Sequence, residues 1–375
     1  MPGLNPNVDP NGLLEYSVVF TDRSLNHMSQ AFQQVMRDIS SSMKKVYHAH
    51  SVALVPGGGT YAMEAVARQF AAGASVLIVR NGMFSFRWTQ ILEASGVAKG
   101  QTVLQARRSK EEDKAPCTPA PLEEIVDSIR KNRPDVVFVP HVETSSGIIL
   151  PEEYIQGIGE ATREVGGLFV LDCVASGAVW VDMEATKVDV LITAPQKGWS
   201  STPSAGMVML NERARKKADE TKSSSFACDL GAWLRIMDAY ENGGHAYHAT
   251  MPTDSLRSLR DTIREIEGFG LEKATRSQLE LGEKVRALLE ERGFPSVAAP
   301  GFKAPGVVVS YTDDEGIRTG KKFAQAGLQI AAGVPLKCDE PEGFSTFRVG
   351  LFGLEKLRNV DRTVEYLKKA LDEIA

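Results

Sequence analysis

Pro151 to Asp172 reads PEEYIQGIGEATREVGGLFVLD, and this stretch decides the fold. Pro151 to Val165 carries a helical pattern, and Gly166-Gly167 stops it. Leu168-Phe169-Val170-Leu171 then runs apolar without alternation, and Asp172 closes the run. A strand with no polar side is one that is covered on both faces, as in a parallel sheet between helices. Working outward, the same unit repeats. Val52 to Val55, Ser75 to Val79, Asp135 to Val139, Val188 to Ile192 and Gly206 to Leu210 are short apolar runs. Helical patterns over Leu25 to Ile39, Thr60 to Ala72 and Leu122 to Asn132 lie between them. The fold class is therefore α/β, with a mostly parallel sheet whose ligands collect at the carboxyl ends of the strands.

After about Thr253 the texture changes to long charged amphipathic helices, Ser255 to Glu267 and Glu272 to Arg292. A strand at Gly306 to Ser310, a helix at Ile317 to Ala326, a strand at Phe347 to Gly350 and a closing helix from Leu354 to Ile374 follow. The expected division is an N-terminal arm over 1–20, a large domain over 21–255 and a smaller C-terminal α+β domain over 256–375. The arm is extended, because Pro2, Gly3, Pro6, Pro10 and Gly12 punctuate it.

Composition narrows the function. The 375 residues carry 43 Lys and Arg against 48 Asp and Glu, a formal charge of −5, which disfavours a polyanion partner. The densest basic run, Arg107-Arg108-Ser109-Lys110, is followed by Glu111-Glu112-Asp113 and reads as a solvated loop. Cys117, Cys173, Cys228 and Cys338 form no CxxC pair, which suits a reducing compartment. The six histidines show no zinc-ligand spacing, so no metal is expected. His48, His50, His245 and His248 read as surface or interface residues. No apolar run is long enough to span a membrane. Met1 to Glu15 lacks a basic and an apolar segment, so the expected location is cytoplasmic.

Four features sit at strand ends. Pro56-Gly57-Gly58-Gly59-Thr60 joins a strand to a helix, and a glycine-rich helix start suits an anion such as phosphate. It lacks the Gly-Lys-Ser/Thr of a Walker loop, and taken alone it reads slightly more readily as a tight turn. Asp172 faces the crevice, where it could bind a metal, a ribose or a protonated ring nitrogen, or could cap a helix. Lys197, in Ala194-Pro-Gln-Lys-Gly-Trp199, has the chemistry for Schiff bases and, if buried, for a base. Taken alone, it reads first as a solvated loop lysine. Arg348, inside the apolar Phe347-Arg-Val-Gly350, either pairs with an internal acid or takes a ligand carboxylate through its planar fork.

Together these features match one cofactor. Pyridoxal 5'-phosphate brings a phosphate, a ring nitrogen that must stay protonated and an aldehyde for a lysine, and its amino-acid substrates bring a carboxylate. Asp172 and Lys197 lie 25 residues apart, one strand–loop–strand excursion.

Here the sequence resembles the class V aminotransferases of the pyridoxal-phosphate fold type I superfamily, alanine–glyoxylate aminotransferases above all. The resemblance runs from about Leu25 to the C-terminus. It rests on His141-Val-Glu-Thr-Ser-Ser-Gly147, Leu171-Asp-Cys-Val-Ala-Ser176, Gln196-Lys197, Tyr247-His-Ala-Thr250 and Phe347-Arg-Val-Gly-Leu-Phe-Gly353. It implies a large domain around a mostly parallel seven-stranded sheet. It implies that Lys197 holds the cofactor covalently and that Asp172 pairs with the pyridine nitrogen. Gly58, Gly59, Thr60 and Gln196 would hold the phosphate, and Phe84 would stack on the ring. Ser145 would hydrogen-bond near the ring hydroxyl and the substrate, and Arg348 would grip the substrate carboxylate. Tyr247 and Thr250 would reach the phosphate in a neighbouring subunit, so the resemblance implies a homodimer with shared sites. His141, which opens the Ser145 motif, would help to shape the site.

The implied activity is transfer of an amino group from a small amino acid to glyoxylate or pyruvate, in ping-pong fashion. The sequence departs from the family pattern at Gly58-Gly59-Thr60, at Phe84, over Tyr16 to Asp22 and in the longer segment Val334 to Gly343. A cysteine desulfurase-like lyase on the same fold would place a histidine before the lysine and use a loop cysteine. Gln196 stands before Lys197 here, and Cys338 keeps that alternative in view. A non-catalytic relative is opposed by the Asp172–Lys197 pair.

Overall fold

A computed structural model describes residues 4–374. Seven strands, β1 (Ser51–Pro56), β2 (Ser75–Arg80), β3 (Gly100–Gln105), β4 (Val136–Pro140), β5 (Leu168–Asp172), β6 (Val190–Thr193) and β7 (Ala205–Leu210), form one sheet. Their order is β1-β7-β6-β5-β4-β2-β3. Strand β7 runs antiparallel to both neighbours, and the other pairs are parallel. The expected mostly parallel seven-stranded sheet is present. Strands β4 to β7 are buried along their whole length, which is why they read as continuous apolar runs.

Helix α1 (Gln30–Tyr47) starts at Ser29, whose hydroxyl accepts the Phe32 N–H at 3.1 Å, and buries Phe32, Val35, Met36 and Ile39. Met28, which shares their spacing, lies outside the helix and is exposed. Helices α2 (Gly59–Phe70), α3 (Met83–Ser95), α4 (Leu122–Asn132), α5 (Glu152–Glu164), α6 (Glu212–Glu220) and α7 (Leu230–Glu241) complete the connections between the strands and around them. Leu256, Leu259, Ile263 and Ile266 of α8 (Thr253–Phe269) pack into the same core as the large sheet.

Beyond α9 (Leu271–Glu291), strands β8 (Val307–Tyr311), β9 (Ala331–Ala332) and β10 (Thr346–Gly350) form an antiparallel sheet in the order β8-β10-β9. A second core of Leu281, Val285, Leu289, Val308, Phe323 and Phe347 lies against it.

Several elements differ from the sequence reading. The helix expected over Ile317 to Ala326 is two short pieces, α10 (Glu315–Arg318) and α11 (Lys321–Gln325). Gly320, at φ +77°, turns the chain between them. The closing helix is likewise split at Asn359 into α12 (Leu354–Arg358) and α13 (Val360–Ile374). The basic run is not a plain loop, because Arg107–Arg108 pairs antiparallel with Cys117–Thr118. Among the described residues, no helix is long and apolar enough to cross a membrane.

Candidate functional site

Strand β5 delivers Asp172 to the carboxyl edge of the sheet, where only 8% of the residue is exposed. No helix follows it. Its Oδ1 accepts the Val174 N–H at 2.9 Å, so the carboxylate caps its own turn and not a helix. Among the described residues, no donor lies within hydrogen-bond distance of Oδ2. Burial pushes the carboxyl up to about 6, and nearby Glu143 adds to the push, while the Val174 N–H and Arg87 pull back.

The glycine-rich turn abuts the same place. Gly57 takes φ +126°, a backbone that L side chains rarely adopt, and turns the chain out of β1 into α2. Gly58 caps α2 with an extended backbone and no side-chain bond, which leaves the helix start to a ligand. A Cβ on Gly59 would stand 2.7 Å from Cγ2 of Val174, so only glycine lets the helix start pack against the Asp172 turn. Thr60 Oγ1 accepts an Arg87 N–H at 2.9 Å. Arg87 lies 5.2 Å from the Phe84 ring centre, and Arg348 lies 5.6 Å from the same ring. Arg348 also donates Nε–H to the Ala332 carbonyl at 2.8 Å. Among the described residues, neither arginine forms an ion pair.

Lys197 stands beyond the end of β6, the parallel neighbour of β5. It is half-buried, and burial together with the Arg348 charge lowers its amine below the usual lysine range. Its Nζ lies 5.0 Å from the centre of the Phe352 ring. A Cβ on the next residue, Gly198, would sit 2.0 Å from the Gly177 carbonyl oxygen, so the chain behind the lysine can only be glycine.

Contacts thus join Arg348, Phe84, Arg87 and Thr60, and the charges of Arg348 and Arg87 act on Lys197 and Asp172 in turn. Gln196 is exposed beside them. Tyr247 and Thr250 are not part of this group. They bond to each other at 3.1 Å, and Tyr247 is 54% exposed beside the His27 ring. His141 is buried behind Asp172. Its N–H donates to the Asp172 carbonyl at 2.9 Å, its Nδ1 meets Ser176 Oγ at 2.7 Å, and burial lowers its pKa to about 4.

Ser145 is fully buried, and its surroundings bring in a residue that sequence reasoning passed over. Glu143 is also fully buried. Its Oε1 accepts the Phe84 N–H (3.2 Å), the Ser145 N–H (3.0 Å) and the Ser145 hydroxyl (2.7 Å). Its Oε2 accepts the Ser85 N–H (2.8 Å) and the Ser85 hydroxyl (2.7 Å). The carboxylate therefore sits at the start of α3, where the helix dipole favours it. Arg87 and Phe352 were missed as well. Arg87 follows Phe84 by three residues, which puts both on one helix face, and Phe352 lies within the motif that begins at Phe347.

All four cysteines are free, and among the described residues no cluster of His, Cys, Asp or Glu could hold a metal ion. Cys338 rests with its Sγ 3.5 Å from the Arg80 carbonyl oxygen, and burial pushes its thiol up to about 12.

Residues 13–342 match the family described as aminotransferase class V. The chain is 26% identical to alanine–glyoxylate aminotransferase of Rattus norvegicus over 370 residues, covering 93% of this chain and 82% of the relative. Among solved structures, alanine–glyoxylate aminotransferase from Nostoc sp. is 25% identical, with a TM-score of 0.77 over 92% of this chain and 88% of that one. Ureidoglycine–glyoxylate aminotransferase from Bacillus subtilis is 23% identical and shares the fold, with a TM-score of 0.76 over 96% of this chain and 87% of that one.

Proposed function

Because this chain belongs to the class V aminotransferase family, we propose that it moves an amino group from a small amino acid to a 2-oxo acid such as glyoxylate or pyruvate, in two half-reactions that alternate on one site. It is a pyridoxal-phosphate-dependent transaminase of fold type I. The observation that carries the fuller reading is the gathering at the carboxyl edge of the sheet of a half-buried Lys197 that feels the Arg348 charge, of Arg348 and Arg87 against the Phe84 ring, of Thr60 bonded to Arg87, and of Asp172, which also feels Arg87.

The residues fit the cofactor. The α2 start is open at Gly58, where a Cβ would meet nothing within 4 Å, and Asp172 keeps one carboxylate oxygen without a donor. Gly58, Gly59, Thr60 and Gln196 would hold the phosphate, with Tyr247 and Thr250 supplied by a second copy of the chain. Phe84 would face the ring and Ser145 its hydroxyl. When bound, pyridoxal phosphate supplies an aldehyde that captures amines and a ring that stabilises negative charge at the substrate's Cα.

The protein's part is binding, orientation and proton handling. Lys197 is the amine that holds the cofactor and then carries the Cα proton, a task that its lowered pKa suits. Asp172 keeps a proton on the ring nitrogen by charge pairing. Arg348 binds the substrate carboxylate through its fork and so sets which Cα bond is presented. The Phe352 ring lies 5.0 Å from the Lys197 amine and forms an apolar wall beside it. We divide the chain into an arm over 1–20, a large cofactor domain over 21–255 and a small domain over 256–375, whose leading helix α8 packs on the core of the large domain. A desulfurase-like lyase would need a reactive thiolate. Cys338, with its pKa pushed up to about 12, is a thiol at neutral pH, which favours transamination.

Lys197→Ala tests this reading. The expected result is loss of the visible absorbance of protein reconstituted with pyridoxal phosphate, together with a fall in turnover of about 10²–10⁴-fold. Retention of the absorbance or of the turnover would overturn it. Mixing single amino acids with the coloured wild-type protein, and following the decay of the band, identifies the donor.

A further inference from the structure

We propose that the protein binds a second small molecule, a phosphorylated compound of the nucleotide class, in a cleft at the amino edge of the large sheet. This edge is opposite the one that carries Asp172. Leu168 lines the cleft, and Leu168 and Asp172 are the two ends of β5, four residues and about 13 Å apart. The cleft has a volume of about 520 Å³, within the range of small-molecule sites. It opens where β2, β4 and β5 begin, with α6 along one side. None of its residues is among those named for pyridoxal phosphate, so the proposal goes beyond that function and does not depend on it.

The cleft is built around a fixed arginine. Arg213 donates Nε–H to Asp189 Oδ1 at 3.1 Å, and its Nη2 donates to Asp189 Oδ2 and to the Gly167 carbonyl. Asp189 is only 1% exposed and is itself held by the Phe169 N–H and the Asn211 amide, both at 2.8 Å. Among the described residues, Arg213 Nη1 has no partner. A guanidinium pinned on one side by a buried carboxylate offers its other side to an anion with little further ordering cost.

Three more cations line the cleft without being spent elsewhere. Arg215, on the same helix, is paired with Asp219 and Asp238. Lys216, Lys217 and Lys222 form no ion pair among the described residues. Two acids also face the cleft. Asp135 is engaged, because its Oδ2 accepts the N–H and the hydroxyl of Ser75, and Glu220 is unpaired among the described residues. Asp189, behind Arg213, is shared with Arg163 at 3.8 Å. The cleft is therefore a local surplus of positive charge on a chain whose formal charge is −5. Its remaining wall is apolar, from Phe70, Ala74, Val136 and Leu168. An inorganic anion would use the cations and leave this wall bare. A ligand that uses both carries a multiply charged head on an apolar body, as a phosphorylated nucleoside does.

The test is equilibrium dialysis of holoenzyme at low salt, with ATP, pyrophosphate and adenosine as probes. ATP should bind with a Kd below about 1 mM, and more tightly than either of the other two. Lys216→Gln, Lys217→Gln and Lys222→Gln combined should weaken ATP at least about 10-fold, because charge-assisted bonds to the phosphates are lost. The three side chains are exposed and make no hydrogen bond among the described residues, so the variant should unfold at the wild-type temperature. Arg348→Gln, at the opposite edge, should leave ATP binding unchanged. Absence of ATP binding, or binding that the lysine variant does not move, would overturn the proposal. Loss of ATP binding in Arg348→Gln would overturn it too, since the nucleotide would then sit at the carboxyl edge. Pyrophosphate that binds as tightly as ATP would exclude the nucleotide class, because the apolar wall would contribute nothing.

Discussion

Two buried carboxylates stand at neighbouring strand ends and are treated in opposite ways. Pro140, at the end of β4, is in register with Asp172 at the end of β5, and Glu143 follows three residues beyond Pro140. Glu143 accepts hydrogen bonds from three backbone amides and two hydroxyls. Asp172 accepts one, and burial drives its pKa up to about 6. A carboxylate surrounded by donors has its charge solvated by the protein and locks the backbone around it. One left with a free oxygen in a buried place waits for a cation that the chain does not supply. A ring nitrogen that carries a proton is such a cation. The first carboxylate organises the site, and the second is kept for the cofactor.

The strongest way to break this contrast is Asp172→Asn. It keeps the shape and removes the charge. The expected loss in kcat is about 10²–10³-fold, the size of one preorganised electrostatic group. Stability should respond with the opposite sign. The folded pKa of Asp172 is raised from 3.8 to about 6, so the unfolded chain loses this proton first as pH rises. In cofactor-free protein, Asp172 therefore costs stability between those two values, about 3 kcal/mol in all. Urea unfolding at pH 4 and at pH 7 measures this. Asp172→Asn should remove that part of the decline, and an unchanged pH dependence would mean that the carboxyl is not strained by burial.

The two carboxylates also differ in how far the sequence reveals them. Asp172 was visible because a fully apolar run precedes it, and the parallel sheet that such runs imply places it at the ligand edge. Lys197 was visible for the same reason. The role of Glu143 depends on the amides of Phe84 and Ser85, about sixty positions away in the chain, and no local pattern reports that meeting. Helix α3 was missed along with it. Its sequence, MFSFRWTQILEAS, is rich in aromatic and β-branched residues with poor helix propensity, and packing overrides them. Strand β3 was missed because Gly100-Gln-Thr-Val-Leu-Gln105 lies at the sheet edge and is only partly buried. The break at Gly320 was foreseeable from a glycine inside a helical pattern.

Gly82→Ala sharpens the contrast from the Glu143 side. The new methyl would meet Ser145 Oγ at 2.0 Å and cannot be absorbed without moving the start of α3. The expected cost is about 1–3 kcal/mol of stability, as for overpacking elsewhere. Thermal unfolding measures it. A variant as stable as wild type would show that the Glu143–Ser145 arrangement is softer than its hydrogen bonds suggest.

The smallest expected effect lies on the Asp172 side, at Arg87. This guanidinium bonds Thr60 at 2.9 Å, lies against Phe84 and lowers the pKa of Asp172. It is partly exposed, and the single bond that it makes to Thr60 is with a neutral hydroxyl. Arg87→Met should therefore leave the fold intact and weaken the hold on the phosphate. A hydrogen bond of this kind is worth about 0.5–1.5 kcal/mol, so the Kd for pyridoxal phosphate should rise about 2- to 10-fold. Asp172 should meanwhile titrate higher in the cofactor-free variant, because the nearby positive charge is gone. Equilibrium dialysis against pyridoxal phosphate reads the first effect, and the pH dependence of unfolding reads the second. If Kd rises while the Asp172 titration stays put, Arg87 belongs to the phosphate cradle alone. If both move, one arginine connects the cradle to the carboxylate that waits for the ring.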